Sequence, residues 1–351
     1  MMKAEFSISG HRIANNGRCF VIAEAGVNHN GKAELAHRLV DAVADSGAQA
    51  IKFQTFNADA LVTASARKAR YQVENTGTDD SQFGMLKALE LPVEVFEKLR
   101  EHALQRGLVF ISTPFDEASA DMLERIGVPA FKVSSGDLNN HLLLEHIAAK
   151  GKPMIISTGM ATLGEIEDAL SCLTKAGAAE VCALQCTSSY PAPCDQINLR
   201  VMETLRSAFA IPIGYSDHTM GLPVSVAAAT LGAAVIEKHV TLDRNLPGPD
   251  HRASLEPGEL TRMMSDIREV EAALGSAVKA PVAAEVDTRD VARRSLFARH
   301  DIAMGHVIAK TDLMALRPGS GISPDQRGII LGHKARHAIA AGHMLTIGDL
   351  E

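Results

Sequence analysis

The chain has 351 residues, with 35 Lys and Arg against 42 Asp and Glu, and its formal net charge of −7 is spread along its length. Without a basic tract it is expected to bind neither nucleic acid nor an anionic membrane surface, and no apolar run reaches the ~20 residues of a membrane span. Five cysteines (Cys19, Cys172, Cys182, Cys186 and Cys194) with no paired metal spacing suit a reducing cytoplasm, and the polar, mixed first 18 residues lack the apolar stretch of a signal peptide.

Residues 20–25 (FVIAEA) are an apolar run that turns polar at 26–31, GVNHNG. A helix with Leu35, Leu39, Val40 and Val43 on one face follows and stops at Gly47. Residues 50–56 (AIKFQTF) read as a strand in which Lys52 and Gln54 point to the same side. The polar stretch 57–91 reads as a long loop with a short helix over the mouth, and loops of that length are commonly functional.

Helix and strand then alternate regularly. Helices 92–106, 117–126, 141–149, 163–176, 199–209 and 222–232 separate strands 108–112, 130–134, 153–157, 181–185, 211–214 and 233–237, and a long amphipathic helix near 257–274 ends the series. Eight strand–helix units start at Phe20, Ala50, Leu108, Ala130, Pro153, Val181, Ile211 and Ala233. Eight parallel strands close a barrel, so the fold class expected is α/β, a (β/α)8 TIM barrel. Residues 275–290 are rich in Ala, Pro and Val without helical periodicity and read as a linker. The expected organisation is a barrel over 1–275, a linker over 276–290 and a small β-rich domain over 291–351, where short apolar pairs are broken by Gly and Pro. No repeat beyond the strand–helix alternation is evident.

In such a barrel the carboxyl ends of the strands share one mouth, where chemistry is done. Lys52, Gln54, Thr113, Lys132, Ser134, Ser135, Thr158, Ser188, Tyr190, Ser216, His218 and His239 fall there. His218 and His239 follow consecutive strands, and with Asp217, Glu237, Asp243 and Asp250 close in sequence they suit a divalent metal with open positions. Two lysines among hydroxyls and turn amides suit a phosphate and a carboxylate. Glu24 and Asp137 follow the first and fourth strands, placed for proton transfer or for holding sugar hydroxyls. Plainer readings compete: a strand lysine paired with a barrel glutamate, Asp137 as a helix cap, Arg317 as a surface arginine.

The pieces IAEAGVNHNG, IKFQTF, STPFD, FKVSSGDLNN, STGMATLGEIE, CTSSYPAP, GYSDHT, IEKHVTLD and GPDHRASLEP together resemble the bacterial sialic acid synthases. RRSLFARHDIAMGHVI and LRPGSGISP resemble the antifreeze-like (SAF, β-clip) domain that ends those enzymes. The resemblance implies condensation of phosphoenolpyruvate with an N-acetylated mannosamine-type sugar, releasing phosphate. It implies Mn2+, with Mg2+ or Co2+ as alternatives, on His218 and His239. It assigns Lys52, Lys132, Ser135, Ser216 and the Ser188 region to phosphoenolpyruvate, and Gln54, Thr113, Tyr190 and Asp250 to the open-chain sugar. Glu24 and Asp137 match acidic positions at the reacting centre. Arg317 matches an arginine inserted into the partner's barrel, which implies a domain-swapped homodimer. N-acetylneuraminate synthase is the first expectation and N,N'-diacetyllegionaminate synthase the alternative; a non-catalytic carbohydrate-binding protein comes third. Asp137 stands where capsule-type N-acetylneuraminate synthases carry glutamate and Ser188 where some carry asparagine, and both variants resemble the legionaminic acid branch.

Overall fold

The structure is a computed structural model that describes residues 2–78 and 81–351. Two compact units divide the chain, Met1–Gly275 and Ser276–Glu351.

In the first unit eight parallel strands close into a barrel. They are β3 (Phe20–Gly26), β4 (Ala50–Thr55), β5 (Val109–Pro114), β6 (Phe131–Val133), β7 (Met154–Ser157), β8 (Val181–Cys186), β9 (Ile213–Asp217) and β10 (Val235–His239). β10 pairs with both β9 and β3, which closes the ring. Helices α1 (Ala33–Ser46), α5 (Val93–Gln105), α6 (Glu117–Ile126), α7 (His141–Ala148), α8 (Leu163–Lys175), α9 (Val201–Phe209), α10 (Pro223–Thr230) and α11 (Pro257–Leu274) alternate with the strands. Local signals set their ends: Asp116 accepts the Ser119 N–H at 2.7 Å to start α6, which stops at Gly127 with φ 82°.

Side-chain alternation then decides what each strand shows to each layer. In β4, Ile51 and Phe53 pack outward with the helices, while Ala50 joins the lumen. The same parity carries Lys52 and Gln54 up the inner face. The outward layer is the main core; a second cluster fills the lumen with Phe20, Ile22, Ile111, Ile155 and Leu184. Phe6, Ile8 and Ile13 belong to that second cluster, and they come from an antiparallel hairpin of β1 (Glu5–Ile8) and β2 (His11–Ala14). The hairpin stoppers the amino-terminal end of the barrel, so the polar, mixed first residues have a packing role that their composition concealed.

Two segments differ from expectation. Residues 57–91 hold three helices, α2 (Ala58–Leu61), α3 (Arg70–Thr76) and α4 (Gln82–Leu89), where one short helix was expected. Residues expected to form an aperiodic linker include a helix, α12 (Val286–Ala292), with no buried residue; the absence of an apolar stripe left it unreadable by period.

The second unit pairs β11 (Ser295–Ala298) with β12 (Leu313–Leu316) around a core of Leu296, Ile302, Ile308, Leu313, Ile330, Ile339 and Leu345. It contains a repeat missed in the sequence pattern: ARHDIAMGHVIAKTDL from Ala298 and ARHAIAAGHMLTIGDL from Ala335. A bridge joins Ile302 to Ile339, equivalent positions of the two copies. In each copy two imidazoles meet one buried aspartate, His300 and His306 on Asp312, His337 and His343 on Asp349.

Candidate active site

A cavity of about 490 Å³ opens at the carboxyl ends of the strands, a size suited to small ligands. A larger groove of about 840 Å³ lies outside the barrel against α10 and α11, away from the strand ends. Glu24, Lys52, Gln54, Thr113, Lys132, Ser134, Ser135, Ser188, Tyr190, Ser216, His218, His239 and Asp250 all line the inner cavity. Strand parity accounts for most of them, because the inward positions one step above the apolar lumen are the polar ones. Register aligns Glu24 with both Lys52 and His239, and Ser216 with both Glu237 and Cys186.

The charged groups form a lattice on the cavity floor. Lys52 pairs with Glu24 and donates to Thr113 Oγ1 at 3.0 Å. Glu237 lies between the two lysines, 3.8 Å from Lys52 Nζ and 3.7 Å from Lys132 Nζ, and accepts from Ser216 Oγ at 3.1 Å. Lys132 donates to Ser157 Oγ at 2.7 Å and to the Val133 carbonyl at 2.9 Å. Burial pushes the Glu24 carboxyl up to about 7, against the pull of Lys52. Burial would raise Glu237 as well, but Lys132 and Lys52 together hold it below the ordinary glutamate range. One carboxyl is therefore poised to exchange a proton near neutral pH while its neighbour stays charged. Burial lowers Lys132 despite Glu237, and an incoming anion would oppose that shift.

His218 and His239 are both buried, with ring centroids 5.4 Å apart. His218 Nδ1–H donates to the Thr187 carbonyl at 2.8 Å, the tautomer that leaves Nε2 as a lone pair. His239 Nδ1 is buried without a hydrogen-bond partner, and burial beside His218 holds its imidazole well below its ordinary range, hence neutral. Burial would lower His218 as well, but Cys186, the Thr187 carbonyl and Glu237 raise it above its ordinary range, so an ion of the Mn/Co/Zn type, which the two imidazoles suit, would displace a proton from it. No group of three or more His, Cys, Asp or Glu could enclose an ion among the described residues, so positions would stay open for substrate. Tyr190 covers this corner, its ring 4.0 Å from that of His218 and 5.6 Å from that of His239.

The turn after β6 makes a second subsite, in which Ser134 and Ser135 line the cavity and Asp137, expected there too, lies behind Ser134 and outside the lining. Ser134 Oγ donates to Asp137 Oδ2 at 2.6 Å, and Asn140 Nδ2 to Asp137 Oδ1 at 3.4 Å. Burial raises the Asp137 carboxyl. Ser135 Oγ accepts the Gly159 N–H at 2.9 Å. A Cβ on Gly159 would lie 2.3 Å from Ser188 Oγ and 2.9 Å from Ser135 Oγ, so only glycine lets those hydroxyls converge there. Burial pushes Asp250 up to about 6.

Four expected positions fall elsewhere. Thr158 points off the cavity and donates to the Leu184 carbonyl at 2.9 Å; Ser157 takes the inward place. Asp217 faces the helices, in a fully buried ion pair with Lys238 at 2.9 Å, so it belongs to the layer behind His218. Asp243 accepts the Asn245 N–H at 2.8 Å within its own turn. Arg317 is an exposed residue of the second unit, just past β12. Ser157 and Cys186 also line the cavity, as does Glu237, and their even spacing from Ile155, Leu184 and His239 was the available signal.

A model of the NeuB family matches residues 39–279, and a SAF domain model matches residues 293–351. An N,N'-diacetyllegionaminic acid synthase of Legionella pneumophila is 46% identical over 337 residues, covering 95% of this chain and 95% of its own. One of Campylobacter jejuni is 46% identical over 308 residues, covering 87% of this chain and 92% of its own. A crystal structure of N-acetylneuraminic acid synthetase from Leptospira borgpetersenii superposes with a TM-score of 0.72 at 36% identity, covering 82% of this chain and 95% of that one. No helix among the described residues is long and apolar enough to cross a membrane.

Proposed function

The chain belongs to the NeuB family, and from that premise we propose that it joins phosphoenolpyruvate to an N-acylated amino sugar, with N,N'-diacetyllegionaminic acid as the product. Of the two sugars that the motifs suggest, 2,4-diacetamido-2,4,6-trideoxymannose is favoured over N-acetylmannosamine, because the legionaminic acid synthases share 46% identity with nearly the whole chain. The observation that carries the reading is the pairing of two buried lysines with two buried histidines in one cavity.

Lys52 and Lys132 neutralise the phosphate and carboxylate of phosphoenolpyruvate, with Ser135, Ser188 and Ser216 donating to the remaining oxygens. Gln54, Thr113, Tyr190 and Asp250 hold the open-chain sugar with its aldehyde beside the histidines. A divalent ion, Mn2+ by preference, held by His218 and His239 would supply Lewis-acid polarisation of that aldehyde. C3 of phosphoenolpyruvate attacks the aldehyde carbon, forming the C–C bond and leaving cationic character at C2. Water adds to C2 and gives a proton to Glu24 or Asp137, the matching proton reaching the new hydroxyl oxygen. The C2–O bond to phosphorus then breaks, leaving the 2-keto acid and phosphate. Holding both reactants in one cavity contributes on the order of 7–11 kcal/mol when the atoms are well aligned.

The enzyme is proposed to act in the cytoplasm as a domain-swapped homodimer, with Arg317 of one protomer meeting the N-acyl group bound in its partner. Phosphate release from phosphoenolpyruvate plus sugar tests the activity, and His239→Ala should abolish metal-dependent release; unchanged turnover in that variant refutes the metal assignment. For Arg317, mixing Arg317→Ala with a His239→Ala variant should restore part of the activity lost in each alone. Mixed dimers no more active than either parent would refute the swap.

A further inference from the structure

The cavity has two chemically distinct ends. Its floor carries the lysines, histidines and carboxyls described above. Among the described residues its upper wall carries none: Val27, Phe56, Leu61, Met85, Leu86 and Phe115 line it, with Tyr71, Gln72 and Gln82 beside them. These side chains form a hydrophobic cluster of their own, separate from the barrel core, with Phe56 and Phe115 edge to face at 6.1 Å. Leu61, Leu86 and Phe115 stay half-exposed toward the cavity although their neighbours Phe56, Met85 and Leu89 are buried.

Two polar side chains beside the wall, Gln72 and Gln82, bond to each other. Gln72 Oε1 accepts the Ala69 N–H at 2.8 Å and the Gln82 amide at 3.4 Å. Asn75 Nδ2 donates to the Pro249 carbonyl at 2.6 Å, which ties α3 to the loop bearing Asp250 and holds the wall over the mouth.

With phosphoenolpyruvate on the lysines and the sugar's aldehyde beside the histidines, this wall is the part of the cavity left for the sugar's far carbons. We infer that the wall formed by Leu61, Leu86 and their neighbours sets specificity at the far end of the sugar, accepting a C6 methyl group and the methyl of a second acetamido group. A hydroxymethyl end placed against Leu61 and Leu86 would lose its water without gaining a partner from them. This inference rests on the synthase reading above and goes further, assigning the choice of sugar to named side chains.

The test measures kcat/KM by phosphate release for 2,4-diacetamido-2,4,6-trideoxymannose, N-acetylmannosamine and N-acetyl-6-deoxymannosamine. The unaltered protein should prefer each 6-deoxy sugar over N-acetylmannosamine by roughly 10- to 100-fold, the range that a single alkyl contact in an apolar pocket supplies. Leu61→Gln and Leu86→Asn should cut that preference by about tenfold or more, while Leu86→Met keeps it and the KM for phosphoenolpyruvate stays unchanged in all three. A preference that survives both polar substitutions overturns the inference. So does an unaltered protein that handles N-acetylmannosamine as well as its 6-deoxy analogue, a result that needs no variant to fold. Absence of phosphate release with all three sugars refutes the synthase reading itself, a separate failure.

Discussion

Lys238→Met should lower the melting temperature of the barrel by on the order of 10 °C. Lys238 and Asp217 are register partners on β10 and β9, both 0% exposed, and they point away from the lumen. Lys238 Nζ donates to Asp217 Oδ2 at 2.9 Å and to the Thr219 carbonyl at 2.6 Å. Asp217 also accepts from the Thr219 N–H at 2.9 Å, the Thr219 hydroxyl at 2.8 Å and the Ser225 hydroxyl at 2.6 Å. Removing the ammonium leaves a carboxylate without a counter-charge in a dry layer and strips a carbonyl of its donor. Breaking a buried pair from one side costs about 3–5 kcal/mol, and in a domain of this size each kcal/mol moves the midpoint by ~2–4 °C. Calorimetry on the single variant and on Lys238→Met/Asp217→Leu measures the effect. The double variant should recover part of the loss, because its apolar replacements need no counter-charge. A midpoint for Lys238→Met within about 2 °C of the parent would refute the reasoning.

Gly159→Ala should keep the fold yet raise the KM for phosphoenolpyruvate by roughly tenfold or more, since the new methyl displaces the Ser135 and Ser188 hydroxyls; steady-state kinetics with circular dichroism as the fold control checks this. His29 and His251 should contribute a loss of stability on acidification between pH 6.5 and 4, opposite in sign to the gain from Glu24 and Asp250, whose carboxyls are raised to about 7 and about 6. Burial lowers His29 and His251 to about 4 each, with His251 adding to the effect on His29 and Asp243 opposing it on His251. The folded pKa lies below the unfolded ~6.5, so the unfolded state binds more protons in that window and stability is lost as pH drops through it. His29 alone accounts for about 3 kcal/mol. Urea midpoints at pH 7 and pH 4.5 measure it as the difference between the parent and His29→Asn, which should lose less stability, or gain more, between the two pH values; equal changes in both proteins would refute it.

The barrel was legible because its signals are local. Eight apolar runs alternate with eight helical patterns, and each run ends in polar residues, so covalent order nearly dictates which side chains share the mouth. Lys52, Lys132, His218 and His239 needed only strand parity to be placed. Thr158 shows the limit of reading strand ends without counting: parity from Ile155 points it outward, and Ser157 inward. Asp217 fails the same count, standing one residue before the inward His218.

Other features left weak local signals. The β1–β2 hairpin buries Phe6, Ile8 and Ile13 against strands more than a hundred residues away as well as β3, and its alternating polar face hides that role. The helices of 57–91 are too short for a hydrophobic period to declare them.

The sequence by itself determined the alternation of elements, the inward positions of the lysines and histidines, and the family. Only the tertiary structure decided that Glu237 sits between two lysines, that Glu24 is poised near neutrality while Glu237 is not, and that an apolar wall faces the charged floor. Those properties arise from burial and from distances between strands. A carboxyl's charge depends on which cations close within a few ångströms and how much water leaves, and neither is set until the ring is shut.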